Sequence, residues 1–443
     1  MGVRKNSVQE RLIIFCRYPI PGRVKTRLIP ALGPAGAADL QRLLTEKTLA
    51  TARDFALLRG VGIEVSFEGG DERKIRRWLG SGPILSPQGP GDLGERMHSA
   101  FLQAFRNGSN HVVLVGTDIP NLSTNQFKQA FEALKDNDLV LGPSTDGGYW
   151  LIGLRRPAAL FEGINWGTNE VLEETIALAR RQGLRAHLLN PLSDLDTPED
   201  FKRLWPGRNR RRPYISTIIP TLNEETNIEA TILSARHEDV EIIVVDGGSS
   251  DHTVAKAART GVRVESSPRG RALQQNRGAE LAEGSVLLFL HADTHLPDSY
   301  VTHVFETLID PMTSAGAFRF RSDLNRPAMK GIAFLANFRS RFLKLPYGDQ
   351  GLFVRKPVFD RVGGFPDVPI AEDLFLVRRL AKRGRIRIAS ADVTTSARRW
   401  LVLGLLRTTL INQIIAAGCY LGVSPHTLAP LERNFRHFKH FKL

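Results

Sequence analysis

Basic residues alternate with other residues in a loop near the start of the chain. The stretch IIFCRYPIPGRVKTRL begins as an apolar strand and continues into a loop with Arg23, Lys25 and Arg27 behind Gly22. A glycine close to a Lys-Thr pair is half of a phosphate-binding loop. The earlier glycine of that motif is missing, so this is not a Walker loop. The residue types indicate binding of an anion, and the sequence leaves open which one.

Carboxylates follow apolar runs in the second half of the chain. Asp246 follows EIIVV, Asp293 follows VLLFLHA, and Glu372 and Asp373 come later in PIAEDLFL. A single aspartate after a strand is often a helix cap, and we keep that interpretation for Asp251. Several at successive strand ends are harder to explain as caps, because a doubly wound sheet brings the carboxyl ends of its strands to one crevice. Carboxylates gathered there can bind a divalent metal or act as a general base.

The elements that must position these residues are strands and helices that alternate in both halves. The first half has strand candidates in VGIEVSFEG, HVVLVGTDIP and NDLVLGPSTDGGYWLIG, and the second has them in EIIVVDGG and GSVLLFLHADTHLP. Stretches with apolar residues at helical spacing separate them. Short, nearly continuous apolar runs are typical of buried parallel strands. The sequence therefore predicts an α/β fold with a mostly parallel sheet, present twice.

A change of composition near residue 206 divides the chain. The stretch PGRNRRRP, residues 206–213, has prolines, a glycine and a run of arginines but no apolar position, which predicts an exposed linker. Directly after it, YISTIIPTLNEE starts a second strand and loop. We therefore predict one domain over residues 1–205 and another over residues 214–443, each of ordinary size.

Composition and charge narrow the possible partners and compartment. Of 443 residues, 42% are apolar and 24% are charged, as in soluble globular proteins, and the net charge of +14 suggests an anionic partner. A nucleic-acid-binding protein is the rival interpretation; it is weak, because no recognised nucleic-acid motif occurs and aromatic residues are only 8%. Two cysteines provide no disulfide framework, and the N-terminus lacks the apolar core of a signal peptide. We expect a cytoplasmic protein that does not bind nucleic acid.

Six ordered motifs in the second half resemble a known family. The stretches STIIPTLNEETNI, IIVVDGGSSDHT, PRGRALQQNRG, LLFLHADTHLP, YGDQGLFVRK and GGFPDVPIAEDLFLVRRL are similar to the inverting family two glycosyltransferases of the GT-A fold. The similarity is greatest to a short bacterial subgroup named for its association with arsenosugar biosynthesis, and it extends from Tyr214 to about Glu432. The resemblance implies transfer of a sugar from a nucleoside diphosphate (NDP) sugar to an acceptor hydroxyl, with inversion.

The resemblance also implies roles for particular residues. Thr221, Glu224 and Asp246 would hold the nucleoside, and Asp293 would bind a divalent metal, Mg²⁺ or Mn²⁺, on the diphosphate. Asp373 would be the general base, and the neighbouring Glu372 is the alternative. Further residues placed in the nucleotide-sugar site are Pro220, Asn223, Gly247, Arg269, Arg271, His291 and Asp349.

Some of these assignments have structural alternatives. His291 stands where the family usually has the first aspartate of D-x-D, and it can equally be a core histidine bonded to backbone. Arg269 and Arg271 can contact the diphosphate, since the guanidinium fork suits phosphate oxygens, or they can form a solvated basic turn. An N-terminal helix cap is the alternative for Glu372 and Asp373.

The first half resembles a nucleotidyltransferase-like GT-A-type family that is largely uncharacterised. The motifs are FCRYPIPGRVKTRL, GPGDLGERM, VGTDIP, LGPSTDGGYWLIG and LSDLDTPEDF, and they span roughly Leu12 to Leu204. The resemblance implies that Arg23, Lys25 and Arg27 face nucleotide phosphates, and that Asp118 and Asp196 bind a divalent metal. The glycines of the implied site are Gly22, Gly147 and Gly148. The alternative is a domain that has lost catalysis and binds a nucleotide or docks a partner.

Two apolar segments near the C-terminus suggest contact with a membrane surface. GIAFLANFRSRFLKLP places Phe334, Phe338 and Phe342 near one helical face, which predicts either an interfacial helix or one that covers the sheet. WLVLGLLRTTLINQIIAAGCYLGV is long enough to span a bilayer, but Arg407 lies in its middle, so we predict a packed or surface helix. The tail ERNFRHFKHFKL suits anionic lipid or is disordered. The acceptor is then a small molecule or a lipid-linked one, with the protein peripheral on the inner face of the membrane.

Overall fold

The structure is a computed structural model that describes residues 10–204 and 213–437. The chain divides into two compact units, Met1–Arg211 and Arg212–Leu443. Residues 206–212 of the predicted linker lie outside the described residues, as do residues 438–443 of the basic tail. The exposed linker therefore stays a prediction. Each unit is described separately below.

Unit 1 is a seven-stranded sheet with helices between its strands. Its elements are β1 (Glu10–Arg17), α1 (Ile29–Arg59), β2 (Gly62–Glu68), α2 (Glu72–Leu79), β3 (Ile84–Pro87), α3 (Leu93–Arg106), β4 (His111–Val115), α4 (Thr124–Ala133), β5 (Leu139–Pro143), β6 (Tyr149–Leu154), α5 (Val171–Arg181), β7 (Ala186–Leu188) and α6 (Pro198–Leu204). The strand order is β3-β2-β1-β4-β6-β5-β7. A 3₁₀ turn at Thr26–Leu28 precedes α1.

The first strand is an interior strand of this sheet. β1 is parallel to both β2 and β4, and its residues Arg11–Cys16 are all buried. Burial on both faces explains why the strand is a continuous apolar run rather than an alternating one. The antiparallel strand β6 separates β4 from β5. The loops after β1 and β4 therefore leave the same edge of the sheet and bring the basic loop close to Asp118.

Unit 2 is built on an eight-stranded sheet. Its elements are β8 (Ile215–Thr221), α7 (Ile228–Ser234), β9 (Val240–Asp246), α8 (Thr253–Arg259), β10 (Arg263–Ser266), α9 (Arg271–Leu281), β11 (Val286–Phe289), β12 (Thr294–His295), α10 (Tyr300–Leu308), β13 (Thr313–Ser322), α11 (Pro327–Phe338), β14 (Leu352–Arg355), α12 (Lys356–Arg361), α13 (Glu372–Ala381), β15 (Arg385–Thr395), α14 (Arg398–Leu403), α15 (Leu405–Tyr420) and α16 (Pro425–His437). The strand order is β10-β9-β8-β11-β14-β13-β15-β12.

Parallel pairing of β10, β9, β8 and β11 forms one half of this sheet. Every residue of β8 is buried. The side-chain amide of Gln274 in α9 joins the ends of β8 and β9, because it donates to the carbonyl oxygens of Thr221 and Val245, both at 2.8 Å. The strands β14 and β12 pair antiparallel to their neighbours. Both units are thus α/β with mixed, mostly parallel sheets, which confirms the fold class predicted from the sequence.

The long apolar segment after β15 is broken into two helices. Gly404, at a φ of 88°, ends α14 and precedes α15. A left-handed φ of this kind is readily adopted by glycine and interrupts the helical hydrogen bonding. Within residues 10–204 and 213–437, the structure has no helix with both the length and the apolar character needed to cross a membrane.

Candidate functional site

The ends of β8 and β9 form the floor of a polar site in unit 2. Asp246 is 6% exposed, and its Oδ2 accepts the backbone N–H groups of Gly248 and Ser249, both at 2.9 Å. Its Oδ1 accepts the Ser249 hydroxyl at 2.5 Å and the Thr221 hydroxyl at 3.3 Å. The Asp246 carboxylate therefore holds the tight GGSS turn in place. The sequence predicted Thr221 and Asp246 in one site, and the structure brings them together.

The loop after β8 is joined to the loop after β9. Asn223 has a left-handed φ of 54°, and its N–H donates to Ser249 Oγ at 2.9 Å while its Oδ1 accepts the N–H of Ser250 at 2.9 Å. Asparagine is one of the few non-glycine residues that adopt this conformation readily. The N–H of Glu224 donates to Thr253 Oγ1 at 2.7 Å. These bonds fix the direction in which the Glu224 side chain leaves the loop.

Two of the predicted site residues are buried and shape the backbone at the end of the sheet. Pro220 is buried within β8 and stands opposite Val245 of β9. Gly247 is buried as well, and a Cβ atom there would lie 3.0 Å from the amide group of Gln274. Both positions therefore shape the end of the sheet, with little of their own surface open to a ligand.

An ion pair joins the loop after β8 to the segment after β15. The Arg398 guanidinium lies 2.6 Å from Oε1 of Glu224, and its side chain is 48% exposed. Burial raises the pKa of Asp293, the charge of Glu224 raises it further, and Arg398 and Arg271 lower it. These four groups therefore share one electrostatic environment. The sequence interpretation missed Arg398, although basic residues directly after a strand end, in SARRW, are the kind of signal that could have identified it.

A second ion pair connects the start of α9 to the start of α13. Arg271 Nη1 lies 3.3 Å from Oε1 of Glu372, whose side chain is 5% exposed while that of Arg271 is 47% exposed. Burial raises the pKa of Glu372, Arg271 opposes this effect, and the charge of Asp373 adds to it. Arg269 is exposed on the same turn. The basic turn is therefore tied to the acidic pair through Arg271.

Asp373 lies against a glycine and a histidine. Its Oδ2 accepts the backbone N–H of Gly348 at 2.6 Å. A Cβ atom on Gly348 would lie 2.7 Å from Nε2 of His291 and 3.4 Å from Oδ2 of Asp373, so that only glycine lets both side chains approach this backbone. Ala371, just before α13, has a φ of 60°. Backbone strain of this kind is found often at functional sites.

The turn that carries Gly348 is fastened to neighbouring elements by Gln350. Gln350 is fully buried, and its Oε1 accepts the Ser340 hydroxyl at 2.6 Å and the Tyr347 N–H at 3.2 Å, while its Nε2 donates to the carbonyl of Phe318 at 3.0 Å. Asp349 takes part through its backbone, because its carbonyl accepts the Thr395 hydroxyl at 3.0 Å. The turn beside Asp373 is thus held rigidly from both sides.

In unit 1, Lys25 is held by the two acidic residues that the sequence predicted as metal ligands. Its Nζ lies 2.6 Å from Oδ1 of Asp118 and 2.8 Å from Oδ1 of Asp196, and it donates to the carbonyl of Leu195 at 2.7 Å. Burial alone would lower the pKa of Lys25, but the two carboxylates outweigh this effect and raise it. The predicted basic loop and acidic strand ends therefore meet at one place.

The other predicted residues of unit 1 lie on the basic loop and on the turn between β5 and β6. Gly22, Arg23 and Arg27 are exposed on the basic loop. Gly147 has a φ of 92°, and a Cβ atom there would lie 2.1 Å from the backbone oxygen of Asn169. Only glycine fits there, because two backbone segments meet. Gly148 is partly buried, and its N–H donates to Oδ1 of Asp146 at 3.0 Å.

Asp194 is an acidic residue of this region that the sequence interpretation missed. Burial raises its pKa to about 6, with further contributions from the charges of Asp146 and Asp196. It lies in the same LSDLDT motif as Asp196, so the repeated aspartates were an available signal. Among residues 10–204 and 213–437, no group of three or more His, Cys, Asp or Glu side chains is arranged to hold a metal ion.

Comparison with known protein families confirms both resemblances found in the sequence. Residues 216–365 match the family described as "Glycosyl transferase family 2". Residues 51–168 match the family described as "Uncharacterized protein conserved in bacteria (DUF2064)". Unit 2 thus carries a family two glycosyltransferase region, and unit 1 carries a region of a bacterial family without an assigned function.

Two named proteins are similar to parts of this chain. A "PGL/p-HBAD biosynthesis glycosyltransferase" of Mycobacterium bovis (strain BCG / Pasteur 1173P2) is 38% identical over 94 residues, which are 19% of this chain and 37% of that protein. A "2-phospho-L-lactate guanylyltransferase" of Methanopyrus kandleri is 33% identical over 94 residues, 20% of this chain and 46% of that protein. The chain thus matches less than half the length of each of these relatives.

A solved structure from Desulfovibrio desulfuricans G20 is similar to almost half of the chain. The protein is provisionally named a nucleotide-diphospho-sugar transferase and is 35% identical. The match covers 45% of this chain and 87% of that chain, with a TM-score of 0.42.

Proposed function

We propose that unit 2 transfers a sugar residue from an NDP-sugar to an acceptor hydroxyl, with inversion at the anomeric carbon. The match to the family two glycosyltransferases and the name of the mycobacterial relative support sugar transfer. The observation that carries the proposal is one charged array. The half-exposed guanidinium of Arg271 is ion-paired with Glu372 beside Asp373, and its charge also lowers the pKa of Asp293. This combination suits a site that holds a diphosphate beside a base.

The donor would lie on the loops that follow β8 and β9. Thr221, Glu224 and Asp246 would hold the nucleoside, as the family resemblance implies. Arg271 and Arg398 each keep about half of the side chain exposed, at 47% and 48%, so that both guanidinium groups can meet phosphate oxygens. A guanidinium offers two parallel N–H donors to such an oxygen pair, which makes it well suited to a diphosphate.

The residues fit a divalent metal at Asp293. Its carboxylate supplies the hard oxygen ligand that Mg²⁺ and Mn²⁺ prefer, and burial together with Glu224 gives it a raised pKa, which a cation would offset. Asp293 would hold the ion together with the phosphates of the donor. When bound, such an ion offsets the negative charge of the departing nucleoside diphosphate.

Asp373 would act as the general base. Its carboxylate takes the proton of the acceptor hydroxyl while the acceptor oxygen attacks the anomeric carbon from the face opposite the nucleotide. The bond from that carbon to the diphosphate oxygen breaks, and the electron pair leaves with the nucleoside diphosphate. Glu372 is a poorer candidate for the base, because it is 4% exposed and ion-paired with Arg271. We assign it the role of positioning Arg271.

A donor panel tests this proposal. The full chain is incubated with several NDP-sugars, with and without Mn²⁺, and release of nucleoside diphosphate is measured; the anomeric configuration of the sugar released to water is read by NMR before it mutarotates. We expect Mn²⁺-dependent hydrolysis of one donor class and an inverted product. Absence of hydrolysis with every donor, or a product of retained configuration, would contradict the proposal.

We further propose that unit 1 binds a nucleotide or a sugar phosphate. The exposed Arg23 and Arg27 beside the Lys25 group, together with the similarity to a guanylyltransferase, support this role. The alternative, a docking module, predicts no nucleotide binding. The test is the thermal shift of the full chain with a series of nucleotides, compared between the wild type and an Arg23→Met/Arg27→Met variant. A shift that is unchanged in the variant would place the nucleotide elsewhere.

Contact with a membrane surface is the third part of the proposal. Phe334, Phe338 and Phe342 are 69%, 49% and 62% exposed, and their rings form a continuous row with centroid distances of 6.4 Å and 4.5 Å. Arg341 and Lys344 are exposed next to this row. Aromatic side chains flanked by cations are typical of interfacial segments on anionic lipid. A lipid-linked acceptor would then reach the site from the membrane surface.

Vesicle sedimentation tests this contact. The full chain should bind vesicles that contain anionic lipid more strongly than zwitterionic vesicles, and a Phe338→Ser/Phe342→Ser variant should bind both weakly. The matched control is Leu57→Ser/Leu58→Ser, which changes two exposed apolar residues in unit 1. Equal binding of all three proteins would argue against a membrane role for the aromatic row.

A further inference from the structure

The ammonium group of Lys25 occupies the point between two carboxylates of unit 1. It lies within 2.8 Å of Oδ1 of Asp118 and of Oδ1 of Asp196. A third acceptor, the carbonyl oxygen of Leu195, lies 2.7 Å from the same nitrogen. The ammonium donates hydrogen bonds to Leu195 and Asp196, and the Asp118 carboxylate faces it as an ion-pair partner. Three oxygen atoms therefore surround the ammonium in this position.

The exposure of the three side chains is uneven. The Lys25 side chain is 3% exposed, whereas those of Asp118 and Asp196 are 46% and 39% exposed. A solute that arrives from water therefore meets carboxylate oxygens first, and the lysine lies behind them. Carboxylates at such a surface attract cations, and one ammonium cannot neutralise two of them.

The lysine and a bridging metal ion cannot occupy this site together. Mg²⁺ binds carboxylate oxygens at about 2.0–2.1 Å. An ion that contacted the same two oxygens would have to lie where Nζ now lies. Binding of a metal through Oδ1 of both Asp118 and Asp196 therefore requires the ammonium to leave.

We propose that Lys25 is a built-in competitor for a divalent cation at Asp118 and Asp196. The tethered ammonium holds the two carboxylates close together and keeps their affinity for a bare cation low. A cation that binds there displaces the ammonium, which becomes free to meet an anion that arrives with the metal. The exchange links cation binding to the exposure of a positive charge.

The backbone at Lys25 is consistent with such an exchange. Its φ of 48° is left-handed, which is uncommon for a residue other than glycine, asparagine or aspartate. The residue lies immediately before the 3₁₀ turn at Thr26–Leu28, and the exposed Gly22 begins the loop on its other side. The ion pair is therefore made by a residue whose backbone lies in a sparsely populated region.

Binding of Mn²⁺ alone to the full chain tests the inference. Free Mn²⁺ is measured by electron paramagnetic resonance, which needs neither nucleotide nor catalysis, so this test fails or succeeds independently of the proposed function. Lys25→Met removes the competitor and keeps an unbranched side chain. We expect it to raise the Mn²⁺ affinity of one site by about tenfold or more, which corresponds to about 1.4 kcal/mol. Any Mn²⁺ bound at unit 2 is common to both proteins.

Three further variants make the result specific. Lys25→Arg keeps the positive charge and should retain the low affinity of the wild type. Lys25→Met/Asp118→Asn/Asp196→Asn should lose the gained affinity. Lys128→Met removes the same charge from an exposed position on α4 and should leave Mn²⁺ binding unchanged. If Lys25→Met does not fold, Lys25→Gln replaces it in the same series.

Two results would overturn the inference. One is an Mn²⁺ affinity in the folded Lys25→Met and Lys25→Gln variants that equals that of the wild type. The other is a gain of affinity that persists after both aspartates are replaced, because the metal would then bind elsewhere.

Discussion

The two units arrange their charges in opposite ways. In unit 1 the cation is buried and the acids are exposed: the side chain of Lys25 is 3% exposed, and that of Asp118 is 46% exposed. In unit 2 the acids are buried and the cations are exposed: the side chain of Glu372 is 5% exposed and that of Arg271 is 47% exposed. The second ion pair of unit 2 has the same arrangement, because the side chain of Glu224 is 17% exposed and that of Arg398 is 48% exposed.

The exposed partner of each pair decides what an incoming ligand meets. The Lys25 pair of unit 1 presents carboxylates, which favour a cation, beside the exposed Arg23 and Arg27, whereas the two pairs of unit 2 present guanidinium groups, which favour a phosphate. The buried partner fixes the position of the exposed side chain and balances its charge. An ion pair of this kind therefore contributes more to the selection of a ligand than to stability, as expected for partly exposed pairs.

The largest effect that we predict concerns Asp373. Asp373→Asn keeps the size of the side chain and can still accept the N–H of Gly348, but it cannot take a proton. Turnover should fall by about 10²-fold or more, with little change in the affinity for the NDP-sugar, because a base acts mainly in the transition state. Steady-state kinetics and donor binding by calorimetry measure the two quantities.

The neighbouring acid provides the control for this prediction. Glu372→Gln should weaken donor binding through Arg271 more than it lowers turnover at saturating donor. Near-normal turnover of Asp373→Asn with a large loss in Glu372→Gln would move the base to Glu372. Normal turnover in both variants would contradict the inverting mechanism.

The next effect concerns the exposed guanidinium groups. Arg398→Met should weaken NDP-sugar binding by about tenfold, since a charge-assisted hydrogen bond typically contributes about 1.5–3 kcal/mol before compensation. Binding is measured by calorimetry with the full chain. Arg259→Met is the matched control, because Arg259 is a more exposed arginine, 68% exposed, in a similar pair with Glu229. Equal donor affinity in both variants would remove Arg398 from the site.

A smaller effect concerns the pH dependence of stability. Burial raises the pKa of Glu372 above its ordinary value of 4.5. The folded state therefore holds this proton more tightly than the unfolded state, and the ionised carboxylate costs stability as pH rises through the folded-state pKa. Relative to the wild type, Glu372→Gln should gain free energy of unfolding between about pH 4 and about pH 8.

An exposed pair shows whether burial is the cause. Glu280 is 66% exposed in its pair with Arg277, so Glu280→Gln should differ from the wild type by the same small amount at both pH values. Urea unfolding at the two pH values measures these differences. A difference for Glu372→Gln that is independent of pH would mean that its carboxyl group is not perturbed in the folded protein.

The smallest effect is expected when the units are separated. A chain that begins at Arg212 should fold alone and should keep the donor affinity of the full chain, because the predicted linker carries no apolar residue that could anchor it. Circular dichroism, thermal unfolding and donor binding measure this. Insoluble or molten products from both separated halves would contradict the predicted boundary.

Much of the fold could be predicted from the sequence. Continuous apolar runs such as EIIVV and VLLFL must be buried on both faces, and this requirement favours parallel strands covered by helices. Polar residues directly after these runs are expected at one edge of the sheet, and this rule predicts that Asp246 and Asp293 lie at a ligand site. The role predicted for Asp118 in unit 1 came from the family resemblance. The local sequence pattern was sufficient to predict these positions, because the end of a strand and the polar residue that follows it are neighbours in the chain.

The partners of these residues were decided by the tertiary structure. Lys25 is paired with Asp196, and Glu224 with Arg398, across 171 and 174 residues of chain. Spacing in sequence says nothing about such pairs, since they depend on how two distant loops meet. The sequence also did not show which side chains are buried. Glu372 and Asp373 are neighbours in the chain, yet Glu372 is buried and ion-paired with Arg271, whereas Asp373 accepts the N–H of Gly348. The sequence alone determined the types of charge at each site, and packing decided which charge is sheltered and which one a ligand meets.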